Sequence, residues 1–244
     1  MKPIVPDWPA PASVRAFFTT REGGVSAAPY ASLNLGTHVG DSAEAVAENR
    51  RRVGQGLPAT PAWLTQVHGV RVVDAAHPAT HEADAAFAQT PGVVCVVMVA
   101  DCLPVLFCDR TGSVVAAAHA GWRGLADGVL EATIAAMNVP ASGLLAWLGP
   151  AIGPTVFEVG PEVRERFVSE IPKAAACFLP GKGDRLFADI FALARLKLQR
   201  AGIAEAAIHG GGVCTVSDSQ RFFSYRRDGT TGRMGAFIWI DRPA

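Results

Sequence analysis

VVCVVMVADCLPVLFCDRTGSVVAAAHAGWRGLADGVLEATIAAM, residues 93–137, decides the fold class. Val93 to Val99 is an almost uninterrupted β-branched run, the mark of a strand buried on both faces. It stops at Asp101-Cys102, and Ser113 to His119 reads as a second apolar strand. Gly121-Trp122-Arg123-Gly124 then turns the chain into a helix expected over 122–137, with Leu125, Val129 and Thr133 at four-residue spacing. His119 therefore falls at a strand end beside a helix N-terminus.

Outward from this block the pattern stays mixed. Val14 to Thr20 reads as a strand entering the turn Arg21-Glu22-Gly23-Gly24, where adjacent glycines allow close backbone approach. Asp41 with Glu44 is the capping pair expected for a helix over 43–54, whose Arg50, Arg51 and Arg52 suit its dipole and read as a solvated end. Trp63 to Val67 is expected as a strand ending at His68-Gly69. Downstream, 161–171 puts Val163, Phe167 and Ile171 on one helical face, and Phe191, Ala194 and Leu198 mark another helix, closed by Gly202. Ala236 to Ile240 is a final strand. Strands and helices without strict βαβ alternation predict an α+β fold of layered mixed sheets flanked by helices. No repeat or linker divides residues 1–244, so one domain is expected.

Composition narrows the functions. The 244 residues are 50% hydrophobic and 18% charged, with 22 basic and 22 acidic side chains. A net charge of zero gives no field to draw the protein onto nucleic acid or anionic lipid. Prolines and Asp7 break up the N-terminus, and the apolar run Gly92–Ala100 is far shorter than the ~20 residues of a spanning helix. A cytoplasmic location is expected. Five cysteines without regular spacing read as thiols or metal ligands, not as a disulfide framework.

His68, Cys102 and His119 each follow an apolar strand, and they lie 34 and 17 residues apart. That spacing is too long for a zinc finger but suits a site assembled from separate strands. Two imidazoles and a thiolate leave a fourth tetrahedral position, where zinc brings a bound water's pKa to about 7. Packed, hydrogen-bonded strand ends are the competing reading of the same residues. Cys95 and Cys108 read as core thiols, Cys177 and Cys214 show no partner signal, and His77, His81 and His209 read as loop or surface residues. The chain lacks HExxH, the deaminase PCxxC, GxxxxGK[ST], a strand-linked GxGxxG and GxSxG, which removes the usual metalloprotease, zinc deaminase, ATP, dinucleotide and serine hydrolase sites.

Seven blocks carry a family resemblance: TTREGGVS at 19–26, SLNLGTHVGD at 32–41, QVHG at 66–69, ADCLPVLF at 100–107, AHAGWRG at 118–124, GPAIGPTVFEVG at 149–160 and FFSYRRDGTTGRMGAFI at 222–238. Together they resemble the YfiH/YlmD family, the laccase-domain or polyphenol oxidase-like proteins also called peptidoglycan editing factors. The resemblance implies a layered α+β fold similar to a group once regarded as cysteine hydrolases, and a metal held by His68, Cys102 and His119. It implies zinc, with copper as the alternative. It also implies phosphorolysis of adenosine, inosine, guanosine and methylthioadenosine, and deamination of adenosine. Relatives often carry cysteines around the GP-x-IGP turn, where this chain has Ala151, Thr155 and Val156.

Within that expectation Cys102, Asp101 and His119 are the catalytic candidates. Asp101 reads either as a proton shuttle to the leaving amine or as a turn acceptor. Phosphate needs cations and amides, for which Arg21 and the start of the 122–137 helix are candidates. Arg226, with Arg227, adds charge or is solvated, and Asn34 holds a ribose or base edge or shapes a turn. Copper-dependent phenol oxidation ranks lower, because multicopper sites need HxH pairs and none of the six histidines forms one. A third reading makes Cys102 a nucleophile and His119 its base, in a hydrolase acting on peptidoglycan precursors.

Overall fold

The computed structural model describes residues 2–242. In chain order its elements are β1 (Val14–Phe18), α1 (Ala43–Gly54), β2 (Val72–Asp74), β3 (Ala85–Ala88), β4 (Val94–Val99), β5 (Leu103–Asp109), β6 (Val115–Ala120), α2 (Trp122–Asp127), α3 (Val129–Met137), β7 (Leu144–Leu148), β8 (Glu158–Val159), α4 (Pro161–Val168), β9 (Phe178–Pro180), β10 (Leu186–Ala188), α5 (Ile190–Arg200), β11 (Ile208–Gly210), α6 (Tyr225–Asp228) and β12 (Met234–Ile240). A mixed sheet runs β11-β7-β5-β6-β3-β2, a second runs β1-β12-β4 and a small third runs β8-β10-β9. β4 and β12 lie against β6 of the large sheet, and α3 covers the large sheet at β3 and β6. This is the layered α+β arrangement expected. Every residue of β4, β5, β6, β7 and β12 is buried, which is why β4, β6 and β12 read as apolar runs instead of alternating ones.

Several local expectations are corrected. Ser42, not Asp41, caps α1 by accepting from the Ala45 amide, while Asp41 accepts from Ser26 and Asn34. Arg50 is no solvated helix end, since it stacks on Trp63 with its guanidinium carbon 3.8 Å from the ring centroid and donates to the Leu35 carbonyl. The helix expected over 122–137 is broken at Gly128 (φ 102°), giving α2 and α3. α4 ends at Val168, short of Ile171.

Trp63–Val67 forms no strand; it makes a single bridge, Thr65 to Glu82, just after that of Ala62 to Cys95. Gln66 supplies the missing ladder bonds with its side chain, donating to the Met98 carbonyl and accepting from the Met98 amide. His209, read as loop or surface, is instead a half-buried residue of β11. The expectation missed β5, where Pro104 interrupts the pattern, and β7. β5 is the strand that joins β6 to β7, and β4, Asp101-Cys102 and β5 follow one another directly.

Candidate metal centre

The chain crosses from the second sheet into the large one at Asp101-Cys102. That turn is tight enough to force Asp101 into the left-handed region (φ 86°), a conformation a non-glycine residue keeps only when its surroundings hold it there. They do so here through the carboxylate: Thr215 Oγ1 donates to it at 2.6 Å, Ser224 Oγ at 3.0 Å and the Arg226 amide at 2.7 Å. His68 is the second strained residue (φ 62°). Buried Asp84 holds it, accepting from the Val67, His68 and Gly69 amides at 3.2, 2.9 and 2.7 Å.

The same Asp84 accepts from His119 Nδ1 at 2.8 Å, and its carbonyl takes the His119 amide. A carboxylate can only accept, so His119 Nδ1 carries a proton, and Nε2 is the nitrogen left to meet a metal once it is unprotonated. The outcome is a group in which donor atoms of His68, Cys102 and His119 all lie within 4.8 Å of one another. Cys102 Sγ is 3.7 Å from His68 Nε2. The rings of His68 and His119 meet edge to face, with centroids 4.8 Å apart. His119 is buried, Cys102 is half-buried and His68 is exposed, so the group opens to solvent on the His68 side.

Two glycines make the approach possible. A Cβ on Gly121 would lie 2.6 Å from His68 Cδ2 and 3.2 Å from Cys102 Sγ, and one on Gly124 would lie 2.8 Å from the Gly69 carbonyl. The AHAGWRG block is therefore glycine-rich because the QVHG turn packs straight onto it.

Electrostatics agree with a metal-ready pair. Burial disfavours the Cys102 thiolate, but His119 and His68 outweigh it and lower the thiol below its ordinary value. Burial likewise disfavours the His119 imidazolium, and the Cys102 and Asp84 charges outweigh it and raise the imidazole. For Asp84 the bonds from His119, Gly69 and Val67 overcome burial and hold the carboxyl low. Two nitrogens and a thiolate, one imidazole oriented by a carboxylate, make a donor set that fits zinc or copper.

Cysteine reactivity tests this reading directly. Burial pushes Cys95 strongly upward, Cys108 to about 12 and Cys177 to about 11. Hydrogen bonds from Ser217 and Gly153 overcome burial and lower Cys214. In metal-free protein at pH 7, iodoacetamide should therefore label Cys102 and Cys214 first, followed by peptide mass spectrometry. Zinc added beforehand should slow Cys102 alone, and equal labelling of Cys102 with and without zinc would count against it as a ligand.

Two clefts of about 240 Å³ each meet at this group and share His68, Ala100, Cys102 and Tyr225. One is lined further by His38, Gln66, Met98, Val99, His119 and Arg233. The other is lined further by Trp122, Ile152, Phe157 and Ile190 beside Asp101, Arg123 and Arg226.

The remaining expected site residues distribute unevenly. Arg226 lines the cleft of Trp122 and Phe157, but its guanidinium donates to the Glu158 carbonyl at 2.9 Å. Arg21 lines neither cleft; it donates to the Ala31 and Ser219 carbonyls and lies over Phe223. Asn34 is fully buried and shapes turns, donating to Asp41 and the Gly36 carbonyl and accepting from the Gly36 and Arg233 amides. Asp101 has its carboxylate saturated, which favours the turn-acceptor alternative over the proton shuttle. Sequence reasoning missed Asp84, Gln66, His38, Tyr225 and Arg233. Only Asp84 carried a signal, as a lone acid in the small apolar run Ala83–Ala88.

Among the described residues no helix is long and apolar enough to cross a membrane. The model of a family described as multi-copper polyphenol oxidoreductase laccase matches residues 15–241. The chain is 57% identical over 238 residues to a purine nucleoside phosphorylase of Pseudomonas aeruginosa, covering 97% of this chain and 98% of that one. It is 54% identical over 243 residues to the purine nucleoside phosphorylase YfiH of Escherichia coli, covering 98% and 99%. A crystal structure of a Neisseria meningitidis protein superposes with a TM-score of 0.95 at 54% identity, covering 99% of this chain and all of that one. That of YlmD from Geobacillus stearothermophilus does so with a TM-score of 0.88 at 32% identity, covering 95% and 93%. Matched nearly end to end in sequence and in fold, the chain belongs to the YfiH/YlmD family.

Proposed function

We propose that this chain is a purine nucleoside phosphorylase acting at the His68, Cys102 and His119 group, with zinc held there and copper as the alternative metal. The observation that carries the reading is the near-full-length identity to relatives named for that activity, and a three-donor group at the junction of two clefts supports it. Adenosine, inosine, guanosine and methylthioadenosine are the proposed substrates in the cytoplasm, with adenosine deamination as a second activity. Zinc, when bound, supplies a Lewis acid in a partly dry site. The protein's own part is to position. Trp122, Ile152, Phe157 and Ile190 offer flat apolar surface to a purine base. Asp101 anchors the Cys102 turn, and Asp84 fixes a proton on His119 Nδ1, so that Nε2 is the nitrogen aimed at its partners.

Product analysis with metal-quantified protein tests it. Adenosine should give adenine only when phosphate is present, and inosine in its absence if deamination occurs. No free base from folded, zinc-loaded protein would overturn the phosphorylase reading.

One observation favours a second reading. Cys102, His119 and Asp84 also have the order of a nucleophile, a base and the acid that orients it, the arrangement of a metal-free Cys-His hydrolase acting on peptidoglycan precursors. Turnover of such a precursor that survives a chelator would establish it. Phenol oxidation at copper finds less support, since the described residues hold one three-donor group and the chain has no HxH pair.

A further inference from the structure

We infer that the cleft lined by His38 and Arg233 is an inorganic phosphate subsite, with Arg233 its principal ligand and His38 its rim. The lining of the cleft and the bonds of Arg233 point to a small anion. No acidic side chain lines it. Among the described residues Arg233 has no salt-bridge partner; its Nη1 donates to the Thr231 and Gly232 carbonyls of its own turn, while Nε and Nη2 have no acceptor there. His38 stands close enough for its imidazole to be pushed down by burial and by the charges of Arg233 and Arg50. Among the groups that face Arg233, the acidic ones are Cys102, Asp101 and Tyr225, and Asp101 is already satisfied by Thr215, Ser224 and the Arg226 amide. A half-buried guanidinium with free donors and no carboxylate bonded to it is an incompletely compensated cation, and phosphate matches its fork.

The fold also makes room for it. Gly36 has no Cβ where one would lie 2.8 Å from Arg233 Cγ, and Asn34 Oδ1 accepts from the Arg233 amide at 2.8 Å. Asn34, expected to touch substrate, is thereby a positioning residue for Arg233. Arg21 and the start of α2, the phosphate candidates read from sequence, do not line this cleft.

This inference rests on the phosphorylase reading for its chemistry. Phosphate at Arg233 and a purine against Trp122 and Phe157 leave the ribose beside His68, Cys102 and Tyr225, which both clefts share. A phosphate oxygen then forms the bond to C1′ as the C1′–N9 bond breaks, its electron pair departing with the purine. The proton lost by hydrogen phosphate ends on the base, so the products are free purine and ribose 1-phosphate.

The test is equilibrium binding of inorganic phosphate to the zinc-loaded protein by calorimetry, followed by steady-state kinetics. Arg233→Gln should weaken phosphate binding roughly 10- to 100-fold, the range for a charge-assisted guanidinium contact, and raise KM for phosphate by as much, with KM for inosine nearly unchanged. His38→Gln, at the exposed rim, should show the same direction more weakly and guards against misfolding of the first variant. Phosphate binding equal to wild type in Arg233→Gln, or binding by wild type that Arg21→Gln abolishes instead, would overturn the assignment. Phosphate binding lost in Arg233→Gln from a wild type without phosphorolysis would uphold the anion subsite and sink the phosphorylase reading. A uridine diphosphate arm separates sources: competition between it and phosphate that Arg233→Gln removes would move the subsite to a nucleotide's diphosphate.

Discussion

Changing Cys102 to alanine is expected to take zinc binding and purine release away together while leaving the fold intact. The side chain is half-buried at the mouth of the site, not in the core, so truncation should cost no more than about 1 kcal/mol of metal-free stability. The turn that carries it is held by Asp101 through Thr215, Ser224 and the Arg226 amide, none of which the substitution touches. Zinc, however, loses its only anionic ligand, and turnover should fall by more than the roughly 100-fold that loss of an outer-shell partner alone can cause. Cys102→Ser should fail similarly, since a hydroxyl is not ionised at neutral pH and is a poor partner for zinc. Zinc per chain and free base released are measured on the same sample. Full turnover without zinc would refute metal dependence, whereas retained zinc with lost turnover would favour Cys102 as a nucleophile.

The three grouped donor residues stood out in the sequence because each ends or interrupts an apolar run, although the run before His68 forms no strand and His119 is buried. The strands at Val94–Val99, Val115–Ala120 and Met234–Ile240 were legible as apolar runs because they are buried throughout, whereas the equally buried Leu103–Asp109 is interrupted by Pro104. The residues that hold the site were not. Asp84, Gln66 and Arg233 act across sequence separations that no local pattern encodes: Asp84 reaches His119 35 positions on, Gln66 clamps Met98 32 positions on, and Asn34 meets the Arg233 amide across 199. Trp63–Val67 misled because its bridging bonds come from a glutamine side chain instead of a backbone ladder. Arg21 and Asn34 read as ligands because polar residues beside glycines serve turns as readily as ligands, and here Arg21 bonds the Ala31 and Ser219 carbonyls while Asn34 bonds Asp41 and the Gly36 and Arg233 backbone.

Asp84→Asn is the substitution expected to damage the site most without touching a metal ligand. One oxygen of the carboxylate accepts from His68 N and His119 Nδ1, the other from Val67 N and Gly69 N, so all four bonds need acceptors. An amide supplies one acceptor and one donor group. With its oxygen toward His119, the NH2 faces the Val67 and Gly69 amides, donor against donor, and the strained His68 turn loses its anchor. Turned round, the NH2 faces His119 Nδ1, which must then accept and move its proton to Nε2, the nitrogen a metal requires free. Neither orientation serves both turns, so zinc affinity should drop about 10- to 100-fold and metal-free stability by about 1–3 kcal/mol. Zinc competition against a chromogenic chelator and urea unfolding read the two effects separately. Zinc affinity held at the wild-type level would mean that His68, Cys102 and His119 find their geometry without Asp84.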